Sequence, residues 1–322
     1  MEKVLTSSEK QYKSCLTNFL AKGGTLPCKA RQLSLFVSEY GDIKREDRLK
    51  ASSLNVYLSA VRRWHIQNQL VSYFGDDRLV REEIERLKVL ERQCYIEKDK
   101  SRFMQPEEAI RLYAHLAKLN PTLRNCRDRA MIALALRTGY RQGMISDLRY
   151  DWFNNLHNNE ARITIDRPGF KTHPDIHSKL DPVTSEYCAV TWINQYLEMA
   201  EIRSGLVFHP ITASGELVRD AGKISNKGVN TIFIRHCKGA GIDTHKLSAH
   251  SLRSTFAVLS IAGGSDATAV AAQGGWTSVD TIYKNYVQAA LALRTKADTT
   301  GLSYLGLGES KHIDAHLHHR LI

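Results

Sequence analysis

Apolar residues in the first hundred positions recur at helical rather than strand spacing. Leu54, Leu58, Val61 and Ile66, with Tyr57 and Trp64 beside them, predict an amphipathic helix opened by Ser52 and Ser53 as caps. A second helix is expected from about Asp77 to Cys94, with apolar positions at Leu79, Ile84, Leu87 and Leu90 among many charges. Lys22-Gly-Gly-Thr-Leu-Pro27 and the charged run from Asp42 to Lys50 break this helical stretch. Residues 95–102, YIEKDKSR, are polar and charged, the composition of a linker. The expected organisation is a helical domain over 1–98, a linker at 99–102 and a second domain over 103–322.

From Phe103 the texture changes. MQPEEAIRLYAHL reads as a helix started by proline, with acidic residues in its first turn. RDRAMIALALRTGYRQGMISDL reads as an apolar helix, a Thr-Gly break and a short second helix. The stretch from Ile163 to Val183 alternates and turns on Pro-Gly, which predicts a β-hairpin or small sheet. Helices are expected near 186–200, 228–240, 250–262, 266–273 and 279–292. The closing KHIDAHLHHRLI reads as a solvated helical tail, although its histidines are possible metal ligands.

Charge adds a partner to this picture. Lys and Arg outnumber Asp and Glu by 45 to 34, a net +11, and the excess is present on both sides of residue 100. A basic chain in both halves suits contact with a polyanion such as nucleic acid. Six cysteines, Cys15, Cys28, Cys94, Cys126, Cys188 and Cys237, are scattered without metal-ligand spacing and read as reduced thiols. No apolar run follows the first charges, and none approaches a membrane span, so a soluble, cytoplasmic protein without a signal peptide is expected.

Several polar residues could carry chemistry. His250 and Arg253 in SAHSLRSTFA are three apart and share a helix face. Arg141 follows the Thr-Gly break and should open a helix, where free amides and guanidinium could face an anion. Lys171 sits just after the Pro-Gly turn, placed to swing in and deliver a proton. Trp276, Tyr283 and Tyr286 lie together in QGGWTSVDTIYKNYVQ. Taken singly, each has a plainer reading: a capped helix start, a surface arginine, a solvated turn lysine, buried aromatics.

Their order changes that. TGYR, then Lys171, then HSLR, then GGWTSVDTIYKNY resembles the tyrosine recombinase (phage integrase) family, most closely its Cre-like branch. The motifs cover about residues 103–290; residues 1–100 match only in their helical pattern. The resemblance implies a mainly α fold with a small β-sheet or hairpin in the catalytic domain. The two domains would form a clamp around double-stranded DNA, working as a tetramer on two sites in the nucleoid. It implies cleavage through a 3′-phosphotyrosyl link, with no metal, ATP or other cofactor. Arg141 and Arg253 would clamp the phosphate, Lys171 would protonate the leaving oxygen, and His250 would assist proton transfer. Trp276 stands where many relatives carry histidine and would donate its indole N–H. Lys44, Arg45, Arg48, Lys50, Arg62 and Arg63 are the candidate phosphate contacts of the first domain.

Two departures from the pattern matter. In the Cre-like branch the nucleophile stands nine positions after the Trp or His; here the ninth is Asn285, Tyr283 is the seventh and Tyr286 the tenth. The flanking Asn-Tyr-Val favours Tyr286 with one residue inserted upstream, and Tyr283 is the runner-up. Relatives also place an acidic residue three after the first arginine, where this chain has Met144; Asp147, one turn later, could substitute. The residues after Tyr286 are expected to form a helix that docks on a neighbouring protomer. Alternatives are a non-catalytic DNA-binding protein on this fold, or a related tyrosine transesterase such as a telomere resolvase or type IB topoisomerase.

Overall fold

The computed structural model describes residues 7–94, 101–169 and 175–294. Lys171 and the histidine-bearing tail lie outside the described residues. The chain divides into two compact units, residues 1–99 and 100–322.

The first unit is all helix: α1 (Ser7–Ala21), α2 (Ala30–Gly41), α3 (Ala51–Gln67), α4 (Val71–Phe74) and α5 (Arg78–Gln93). α2 and α3 both pack on α5, and α1 packs on α3, around Phe19, Leu33, Phe36, Leu54, Val61 and Ile84. Lys50, rather than Ser52 or Ser53, occupies the N-cap position of α3, without a capping hydrogen bond from its side chain. Ile66 and Leu79, expected on apolar faces, are exposed. The inward positions are instead His65, four after Val61, and Val80, four before Ile84. His65 is tolerated in the core because both ring nitrogens have backbone partners, Val61 O at 2.8 Å and the Cys28 N–H at 3.2 Å.

The second unit begins with α6 (Pro106–Ala117), where proline occupies the first turn and Gln105 and Glu108 form a capping box. There follow α7 (Leu123–Thr138), α8 (Gln142–Ser146), an antiparallel sheet of β1 (Phe153–Asn154), β2 (Ile163–Arg167) and β3 (Ile176–Leu180), then α9 (Ala189–Met199) and α10 (Asn226–Gly239). The chain continues through α11 (Ala249–Ala262), α12 (Ala267–Gly274), α13 (Asp280–Ile282), a π-helical turn over Tyr283–Val287, and α14 (Gln288–Arg294). α7 is the central element, buried on nearly all sides and packed against α9 and α11. In the sheet, Ile163, Ile165, Ile176, Ser178 and Leu180 face inward, and their alternation with exposed residues explains why this stretch pairs as strands. The two-residue strand β1 carries no periodicity a sequence reading could catch.

α7 also holds a buried charge. Asp128 is fully buried, with Arg127 Nε and Nη2 at 2.9 and 2.8 Å from Oδ1, and His236 Nε2 (3.1 Å) and Arg235 at Oδ2. Burial by itself would raise the Asp128 pKa. The His236 hydrogen bond and the charges of Arg127 and Arg235 outweigh it and hold the carboxyl below its ordinary value. Because the folded pKa is depressed, this stabilisation is present above the ordinary carboxylate range and is lost as pH falls through the lowered value. Asp128→Asn is therefore expected to cost about 3–5 kcal/mol in urea melts at neutral pH. The gap to the unaltered protein should narrow as the pH is lowered.

Candidate functional site

Three turns of the second unit carry Arg141, His250, Arg253 and Trp276. The first follows α7. Gly139 adopts φ +69°, a left-handed conformation that ends the helix. Its missing Cβ also matters, since one would lie 2.2 Å from Phe256 Cδ1. Arg141 then occupies the N-cap position of α8, its side chain free of any capping bond to that helix. The second turn opens α11, where Ser248 and Ser251 form a capping box and place exposed His250 in the first helical turn. Arg253 stands one turn further along and is only 1% exposed. The third turn, at the end of α12, is Gly274-Gly275-Trp276, with Gly275 at φ +64°.

These turns hold the two arginines by their carbonyls. Arg253 Nη1 donates to Gly139 O and to Gly274 O, both at 2.5 Å. Arg141 Nη1 donates to Gly275 O at 3.3 Å. The Arg253 guanidinium lies flat on the Trp276 ring, with Cζ 3.3 Å from the ring centroid. Its Nη2 is buried without a hydrogen-bond partner. No carboxylate pairs with it among the described residues. Burial, and then the like charge of Arg141, pull the Arg253 pKa down to about 9. His250 is likewise held below its ordinary value, first by desolvation and then by Arg253 and Arg141. The cluster is short of negative charge, the condition in which a phosphate is bound most strongly.

The tyrosines separate sharply. Tyr286 is 9% exposed and meets the Trp276 ring edge-on at 5.8 Å. It lies near enough to Arg253 to influence that group's ionisation. Tyr283 is 56% exposed. Both belong to the π-helical turn, which spends more residues per turn than an α-helix.

Not every predicted support is present. The Asp147 carboxylate pairs with Lys223, and among the described residues it makes no hydrogen bond or ion pair with Arg141. Met144 is buried and reaches toward Gly275. In the first unit Arg45 pairs with Glu39 and Asp47, both at 2.9 Å, and covers the Tyr40 ring. Arg48 pairs with Glu91, and Arg62 shares Asp77 with Arg81. Lys44, Lys50 and Arg63 have no ion pair among the described residues. Sequence reasoning missed the carbonyls of Gly139, Gly274 and Gly275, which a motif search treats as spacing. Among the described residues no cluster of His, Cys, Asp or Glu could hold a metal ion, and no helix is long and apolar enough to cross a membrane.

The second unit thus combines a small sheet on a helical domain with two carbonyl-held arginines and a buried tyrosine that shares the Trp276 indole with Arg253. The chain belongs to the phage integrase family, whose model matches residues 102–292. An integrase/recombinase XerD homolog of Selenomonas ruminantium is 37% identical over 73 residues, which is 23% of this chain. That match spans 21% of the relative's length. Among solved structures, XerH recombinase bound to palindromic difH substrate aligns with TM-score 0.58 at 17% identity, over 88% of this chain and 78% of that one. A lambda integrase dimer bound to a COC′ core site gives 0.55 at 15%, over 88% and 72%. The Tn1549 transposon integrase with a circular intermediate DNA gives 0.55 at 12%, over 92% and 95%. At these identities the likeness carries the fold.

Proposed function

We propose that this protein is a tyrosine site-specific recombinase that cuts and rejoins DNA strands through a covalent phosphotyrosyl intermediate. The observation that carries the reading is Arg253: a buried guanidinium with no acidic partner, one nitrogen unmet, beside a buried tyrosine on the same indole. In this reading the Tyr286 oxygen forms a bond to phosphorus as the bond to the 5′-oxygen breaks. Arg253 and Arg141 neutralise the non-bridging oxygens, whose charge grows in the transition state. His250 assists the proton leaving Tyr286, and Lys171, assigned by resemblance, supplies one to the 5′-oxygen. The phosphotyrosyl link conserves the bond energy for rejoining to a partner strand. A decayed, purely DNA-binding domain is not favoured, because it would have no use for a buried tyrosine beside an unpaired arginine.

The partners proposed are double-stranded DNA of specific sequence and further copies of the chain. Lys44, Lys50 and Arg63 are the better phosphate contacts of the first unit, since no internal carboxylate competes for them. An open groove of about 820 Å3, lined by Tyr113, Phe256, Leu259, Val270 and Leu293 among others, has the apolar character to seat the tail of a second copy in a tetramer. The cytoplasmic nucleoid is the proposed place of work. Kinship with the Cre-like branch rests on the Gly-Gly-Trp and Asn-Tyr-Val stretches alone.

The test is covalent trapping. The protein is incubated, with chelator and without nucleotide, on labelled duplexes that it binds, nicked so that the cut strand diffuses away. An SDS-resistant adduct located at Tyr286 by mass spectrometry is the expected result. Absence of any adduct on DNA the protein demonstrably binds would overturn the proposal.

A further inference from the structure

Beside the site lies a side chain that the phosphate chemistry does not use and that ties α12 to α7 and β3. Gln273 is the residue before the Gly-Gly turn, half-buried at the end of α12. Its Oε1 accepts the Lys179 backbone N–H at 3.0 Å, and its Nε2 donates to Lys179 O at 2.7 Å and to Arg137 O at 3.3 Å. One amide thus closes both open backbone groups of an edge-strand residue in β3 and also binds the last turn of α7. The orientation is fixed by this pattern, because the reversed amide would set N–H against N–H and oxygen against two oxygens. Its own carbonyl accepts the Ser178 hydroxyl at 2.6 Å, and Ser178 in turn accepts from buried Tyr140 at 2.8 Å.

The geometry bears directly on Arg253. Nη1 of that arginine bridges two carbonyls on different elements, Gly139 just past α7 and Gly274 at the end of α12. The Gln273 amide bridges the same two elements, from Arg137 on α7 to its own place on α12. The spacing of the two carbonyls, and with it the position of the guanidinium, is therefore set by a link that lies two residues before Gly139 and one before Gly274. Gly275, whose carbonyl holds Arg141, follows on the same segment.

We propose that Gln273 is a positioning residue: it fixes the gap in which Arg253 is held and so aims the arginine pair at the target phosphate. This rests on the recombinase reading above. Removing the amide leaves α12 free to shift against α7 and β3, and sub-ångström errors in a charge clamp are expensive. Gln273→Ala is expected to slow adduct formation on an ordinary phosphodiester by about tenfold to a hundredfold. DNA affinity, spread over many phosphate contacts, should barely change.

The discriminating readout is the charge of the target phosphate. The cut position is first mapped with the unaltered protein on a duplex selected for tight binding from a random-sequence pool. The duplex is then remade with a methylphosphonate there, a neutral group with no net charge for the arginines to neutralise. If Gln273 acts by aiming the arginines, the variant-to-unaltered rate ratio falls on the diester and returns close to one on the methylphosphonate. Equal loss on both substrates, or no loss on the diester, overturns the inference. Gln273→Glu keeps the size of the side chain and the acceptor for Lys179 N–H, but faces two carbonyls with a carboxylate. It is expected to give the same pattern, so a folding failure of the alanine variant, read by thermal melting, leaves the test intact. If the unaltered protein forms an adduct and these patterns fail, only the role of Gln273 falls. If it forms none on diester DNA it binds, the recombinase reading falls first.

Discussion

Arg253→Lys is expected to lower the rate of covalent adduct formation by about 10³-fold, the scale at which single charge-stabilising donors and arginine fingers act. Lysine keeps the formal charge, so the size of this loss rests on geometry. The guanidinium places Nη1 on the carbonyls of Gly139 and Gly274 while Nη2 stays unmet, and its flat face lies on Trp276. A single ammonium cannot reach both carbonyls, stack on the indole and still present a donor to a phosphate. A buried lysine also loses its proton more readily than arginine, which already has its pKa pulled down to about 9 here. Single-turnover kinetics on a nicked duplex, with binding measured separately, check this. A variant that binds DNA as the unaltered protein does and reacts within a few-fold of its rate would remove Arg253 from the mechanism.

Tyr286→Phe is expected to abolish the adduct outright, whereas Tyr283→Phe should leave its rate within about twofold, a near-neutral effect for an exposed side chain. A nucleophile cannot be replaced by a ring that lacks the oxygen. Tyr286 is the tyrosine packed against Trp276 and close to Arg253, while Tyr283 points largely to solvent. Both substitutions keep the ring, so the Trp276 contact and the core around Ile282 and Ala290 survive, and melting temperatures should change little. The same labelled duplex and gel serve for both variants. Loss of the adduct in Tyr283→Phe, with Tyr286→Phe active, would mean that the π-helical turn unwinds on DNA and exchanges the two rings.

The helices of the second unit were legible because proline, the Thr-Gly break and the serine caps mark their starts and stops. The hairpin was legible because inward apolar residues alternate with polar ones. Two face assignments failed for one reason: Ile66 and Leu79 are more apolar than their neighbours, but helical phase puts His65 and Val80 inside. Phase is fixed by the other helices, and no single segment contains that information. Asp147 likewise takes a partner that is distant in sequence, Lys223.

The order of Arg141, Lys171, His250, Arg253, Trp276 and the tyrosines was enough by itself to point to the family, because residue type and spacing along the chain are what that signature consists of. Which of the two tyrosines is buried was decided by the tertiary structure, where a π-helical turn spans Tyr283–Val287, with Tyr286 buried and Tyr283 exposed. Backbone carbonyls are the same in every residue, so no motif could reveal that Gly139, Gly274 and Gly275 hold the arginines, or that the Gln273 amide spaces them. Those contacts join separate elements, some of them more than a hundred residues apart, and they exist only once α7, α11, α12 and β3 have packed.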